Sequence, residues 1–201
     1  MKRSLGLILL LFVASVSFAQ VSWNVKAGVN LSNWSKGDMD SKFGFKVGAG
    51  MEYAFDEVWA IQPSLLLSTK GAKGDIVDED GDKMEMNVNQ MYLELPIMAA
   101  ARLAVSDNMN FVITAGPYLA YGIGGKVKYT FEGESVKYDT FGDGDFDGNL
   151  KKFDAGLGVG VAAEFGKIVV GLEGQFGLTK LGDGSGTPKN QNFSLVLGYK
   201  F

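Results

Sequence analysis

The chain of 201 residues contains no cysteine, no histidine and only four prolines. Without cysteine there can be neither a disulfide nor a lipid-modified N-terminal cysteine, so stability has to come from backbone pairing and packing. Zinc, which favours these two missing residue types, is not expected. Catalysis by a histidine base is excluded as well, and the chain is not expected to be an enzyme. Basic residues are outnumbered: 19 Lys and Arg against 23 Asp and Glu give a formal net charge of −4. That balance argues against nucleic acid as a partner. No apolar run approaches the roughly 20 residues a helix needs to cross a bilayer.

The longest apolar run lies at the N-terminus. Met1-Lys2-Arg3 is a charged start, Leu5 to Val16 is almost unbroken apolar sequence, and Ser17-Phe18-Ala19 places small residues before a cut. This is the pattern of a secretory signal peptide occupying residues 1–19, too short for a spanning helix. The mature chain is then residues 20–201, one domain, with Lys2 and Arg3 gone and a net charge of −6. A mature chain that crosses a membrane without a helix must do so as a closed barrel.

Strict alternation fills the mature chain. At the C-terminus Phe193, Leu195, Leu197, Tyr199 and Phe201 form one row, while Ser194, Val196, Gly198 and Lys200 form the other. This is a period-two strand with one lipid-like face. Similar alternation marks strands near residues 22–32, 43–55, 59–70, 84–102, 111–121, 153–165 and 168–179. The fold expected is all-β: an eight-stranded antiparallel up-and-down transmembrane β-barrel, eight being an even number as single-chain outer-membrane barrels require. Long connections at 33–42, 71–83, beyond 125 and 181–190 alternate with short ones at 56–57, 103–107 and 166–167. The long ones read as extracellular and the short ones as periplasmic, with both termini periplasmic. Residues 126–141 read as a hairpin projecting beyond the membrane. In the fourth strand Met84, Met86 and Val88 are even but Met91, Leu93 and Leu95 odd, which predicts a bulge around Asn89-Gln90.

The charges fall in the glycine- and serine-rich row: Lys26, Lys46, Glu52, Lys70, Glu94, Arg102, Glu164, Glu173 and Lys200. An eight-stranded barrel is filled by its inward side chains, so these predict internal ion pairs and no wide channel.

The chain resembles the PorT-like family of small outer-membrane β-barrel proteins, often described as porin-family proteins of the Gram-negative cell envelope. The similarity is carried by Lys26-Ala27-Gly28-Val29-Asn30-Leu31, Ile61-Gln62-Pro63-Ser64-Leu65, Tyr92-Leu93-Glu94-Leu95-Pro96, Ala115-Gly116-Pro117-Tyr118 and Leu197-Gly198-Tyr199-Lys200-Phe201. Ser64 stands where the pattern has Glu. The resemblance implies a cell outer membrane location, contact with outer-membrane lipid and lipopolysaccharide, and recognition by the barrel-assembly machinery through the C-terminal strand ending at Phe201. It implies no defined activity; some relatives are linked to protein secretion.

One motif carries chemistry of its own. Asp143, Asp145 and Asp147 stand at positions one, three and five, Gly148 at six and Asp154 at twelve, the spacing of a calcium loop. Position twelve usually holds Glu, and the stretch equally fits a solvated acidic connector. No other cofactor is expected. Three function classes stay open: a structural or surface-interaction barrel meeting protein partners through its extracellular loops, a narrow channel or small-solute transporter, and a component of a protein-secretion assembly.

Overall fold

The computed structural model of the chain describes residues 21–37, 39–77, 83–141, 150–184 and 186–201. Among the described residues nine strands follow one another: β1 (Val21–Trp34), β2 (Asp40–Ala54), β3 (Trp59–Val77), β4 (Lys83–Ser106), β5 (Met109–Phe131), β6 (Glu134–Asp139), β7 (Phe153–Phe165), β8 (Ile168–Gly177) and β9 (Asn190–Lys200). Their order is β4-β3-β2-β1-β9-β8-β7-β5-β6, and a further pairing of β4 with β5 closes a ring of eight. The last strand meets the first antiparallel, from Asn24 opposite Lys200 to Trp34 opposite Asn190. Closure leaves the ring no free edge.

The period-two pattern decides the two faces. Outward side chains such as Trp23, Phe43, Leu65, Ile113, Leu157, Leu172 and Leu195 are exposed and apolar, whereas Asn30, Lys46, Lys70, Glu94 and Glu164 are buried inside. This inverts a water-soluble barrel and suits hydrocarbon outside. Aromatic side chains collect at both ends of the wall: Trp23, Trp59, Phe111, Phe165, Tyr199 and Phe201 at the end holding the tight turns, Phe43, Tyr121 and Phe153 towards the other.

Two expectations need correction. Residues 71–83 are not one long loop: β3 runs on to Val77 and β4 begins at Lys83, the two paired from Gly71 opposite Asn89 to Val77 opposite Lys83. Turn-rich composition here gives way to continuous pairing with β4. The bulge predicted around Asn89-Gln90 is also absent from β4, where Val88, Gln90, Tyr92 and Glu94 are all buried on the same inward face. The register slips instead on β5, where Met91 faces Gly124 but Tyr92 faces Gly122, leaving Ile123 as the extra residue. Val88 is apolar and inward, so the apparent change of phase was a change of interior chemistry.

At 24 and 23 residues, β4 and β5 far exceed the roughly 9–11 that a tilted spanning strand needs. Their surplus, with the far end of β3 and with β6, forms a four-stranded sheet beyond the ring. The hairpin expected at 126–141 is therefore present, turning at Glu132 and Gly133, both with positive φ.

Candidate functional site: the filled interior and the projecting sheet

All the charged residues expected inside face the interior, and they sort into layers. Near the tight-turn end Arg102 of β4 donates from Nη2 to Glu52 Oε1 at 2.6 Å and from Nε to Glu164 Oε2 at 3.0 Å. Lys200 of β9 reaches the same two carboxylates at 3.2 and 2.5 Å. Each carboxylate thus sits between both cations, and Gln62 Nε2 adds a bond to Glu52 at 2.6 Å. Lys46 pairs with Glu173 at 2.9 Å in the middle of the barrel.

The layer towards the projecting sheet is drier. Lys70 Nζ lies 2.6 Å from Glu94 Oε1 and 3.6 Å from Asp154 Oδ2, with all three side chains fully buried. It also stands 4.4 Å from the centre of the Tyr118 ring and 5.5 Å from that of Tyr92, within cation–π range. Asp154 accepts bonds from Tyr118 Oη (3.2 Å), Thr179 Oγ1 (2.7 Å) and Asn190 Nδ2 (3.0 Å). Above this layer Phe141 packs edge-on against Tyr92, and Thr140 and Leu181 are completely buried. Loop segments therefore close that end.

Among the described residues of these layers, five cations (Lys26, Lys46, Lys70, Arg102, Lys200) stand against five carboxylates (Glu52, Glu94, Asp154, Glu164, Glu173). The internal space is small: a cavity of about 60 Å³ beside Asn24, Lys26, Thr114 and Glu173, and one of about 20 Å³ beside Leu66, Pro96 and Tyr118. The first has room for a few waters at most. A larger concavity of about 590 Å³ opens through the wall around Gly174, lined by Leu172, Phe176 and Phe193 of the outward row and also by Asn30, Thr114, Glu173 and Ser194 of the inward row.

Of the residues expected to hold calcium, Asp143, Asp145 and Asp147 lie outside the described residues. Asp154 is inside the barrel at the start of β7, its carboxylate engaged as above. Its inward direction was available from the sequence, since Phe153 and Ala155 are outward and their neighbour must point the other way. The stack of Tyr92 and Tyr118 around Lys70 gave no such signal, because it joins residues of three strands.

A family model described as Outer membrane protein beta-barrel domain matches residues 18–183. The chain belongs to this family. No curated relative matches it. Among solved structures, this family member is similar to Ail, the attachment invasion locus protein of Yersinia pestis (15% identity, 90% of this chain and 97% of that chain, TM-score 0.42). It is also similar to the outer membrane protein OprG from Pseudomonas aeruginosa (10%, 90% and 95%, TM-score 0.49) and to Neisserial surface protein A (10%, 90% and 96%, TM-score 0.47). The outer-membrane barrel rests on the family and on the closed ring.

Proposed function

We propose that this outer-membrane barrel serves surface interaction and not conduction or catalysis: a sealed wall that presents the β3–β6 sheet to partner proteins outside the cell. The observation that carries this reading is the exposed strand β6 at the end of the sheet. All six residues Glu134–Asp139 are exposed, and among the described residues the strand pairs only with β5. An exposed strand at the end of a sheet can be augmented by an extended segment of another protein. The filled interior supports the same reading, because a transported solute would have to pass the end clusters and the Lys46–Glu173 pair between them.

Within the family, the motifs around Tyr92-Leu93-Glu94-Leu95-Pro96 and the terminal Tyr199-Lys200-Phe201 favour a PorT-like reading, with residues 1–19 proposed to be removed as a signal peptide and both termini proposed to be periplasmic. Phe201 then ends the strand offered to the assembly machinery, and the outward row meets outer-membrane lipid and lipopolysaccharide. Calcium at Asp143, Asp145 and Asp147 rests on the spacing of these aspartates in the sequence alone.

Photo-crosslinking on intact cells tests the reading. A crosslinker at Ser135, on the β6 edge, should give discrete higher-mass adducts that are absent when it replaces Asp107 in the short turn. Equal adducts from both sites, or none from Ser135 together with stable single-channel conductance, would sink it.

A further inference from the structure

We propose that the lipid-facing side of the β5–β6 hairpin binds the phosphate groups of an outer-leaflet glycolipid through Lys126, Lys128 and Lys137. This rests on the outer-membrane reading above and deepens it by naming the headgroup and its residues. Past the extra residue Ile123, Val127 is buried and inward, so Lys126 and Lys128 point outward, on the lipid side of the wall. Lys128 stands directly opposite Lys137 across the hairpin, and Lys126 opposite Asp139. The same row continues to Asn87 of β4 and Lys73 of β3.

A pair of like charges directly opposite on one sheet face is destabilising in isolation. The carboxylates on this face do not relieve it. Asp139 is bonded to Lys126 at 2.6 Å, Asp75 and Glu85 face each other one row further out, and Asp40 lies opposite Lys73. Among the described residues neither Lys128 nor Lys137 has a carboxylate partner. In a chain with more acids than bases, two unpaired ammonium groups held across from each other are an anion clamp. A phosphate between them turns the repulsion into two charge-assisted bonds.

Depth selects the source of the phosphate. The outward row is apolar up to Leu93, Tyr121 and Ile123. At roughly 3.3 Å per residue, Lys126 and Lys128 follow Ile123 by about 10 and 16 Å along the strand, the level of headgroups and not of free solution.

The test is titration of diphosphorylated lipid A, and of its dephosphorylated counterpart, into the refolded mature chain in neutral detergent. The wild type should bind the phosphorylated form at least about tenfold more tightly, which is about 1.4 kcal/mol. Lys128→Gln with Lys137→Gln should bring the two forms within about twofold, whereas Lys36→Gln with Lys180→Gln, an equal charge loss elsewhere, should keep the preference. A preference that survives the hairpin substitutions, or inorganic pyrophosphate binding as tightly as the lipid, overturns the proposal. A wild-type chain that gives no heat-shifted band in detergent overturns the outer-membrane reading, and this proposal with it.

Discussion

Lys70 shows how a single residue is held by its surroundings and what its loss would do. Its ammonium faces Glu94, Asp154 and two tyrosine rings with no exposed atom in the side chain. Replacing it by Met leaves two buried carboxylates without their cation, a change that typically costs about 3–5 kcal/mol. Urea unfolding in micelles should show that loss. Lys70→Met with Glu94→Gln should recover most of it, because Asp154 keeps its neutral donors Tyr118, Thr179 and Asn190. A double variant no more stable than the single one would mean that the pair is not the coupled unit. Asp56 is the counterpart outside the membrane: the backbone N–H groups of Trp59 (2.6 Å) and Val58 (2.8 Å) donate to its carboxylate and hold its pKa below the ordinary value. A carboxyl depressed on folding adds stability above its unfolded pKa and loses it as pH falls through the folded one. The 55–59 turn should therefore loosen on acidification, read as faster amide exchange at Val58 and Trp59. Asp56→Ala should remove that pH dependence, and an unchanged profile in the variant would exclude Asp56 as its cause.

β4 is the element on which sequence reasoning and structure part company. Alternation located the ring strands and put Lys46, Lys70, Glu94 and Arg102 inside, because in hydrocarbon every outward position must be apolar. Where β4 leaves the membrane that constraint lapses, and polarity no longer reports direction: Val88 is apolar and inward, Asn87 polar and exposed. Pairings inside the barrel were illegible for a different reason. Lys70 with Asp154, or Lys46 with Glu173, joins residues whose meeting depends on tilt and register around the whole ring. Two glycines flank β4 at this exit. Gly71 of β3 and Gly125 of β5 both have positive φ (150° and 139°), and a Cβ on them would run into the carbonyl oxygens of Val88 and Asn89. Gly71→Ala and Gly125→Ala should each cost on the order of 1–3 kcal/mol. The loss should appear as a lower yield of heat-shifted barrel on refolding, while Gly124→Ala, with open space around it, should refold normally. Equal yields from all three would show that the backbone at this exit is not constrained.

At the scale of the whole molecule, the barrel carries a seal at each end, with the Lys46–Glu173 pair and small cavities between. The seal at the tight-turn end is the cluster of Glu52, Arg102, Glu164 and Lys200, built from β2, β4, β7 and β9, so the last strand is tied by charge to β2 and β7 as well as by its ladder to β1 and β8. The seal at the other end is Lys70 between Tyr92 and Tyr118, under Phe141 and Leu181. A series arrangement conducts only when both are open. The wild type should therefore give a heat-shifted band and no stable conductance in planar bilayers. Arg102→Ala with Glu164→Gln clears one layer and should stay silent, as should Tyr118→Ala alone. Only the combination of all three, in protein that still shows the heat shift, should conduct, because it joins the 60 Å³ cavity to both ends. Steady conductance from the wild type or from either partial variant would mean that the layers are gates that open on their own, and small-solute passage would then replace surface display as the better account of this barrel.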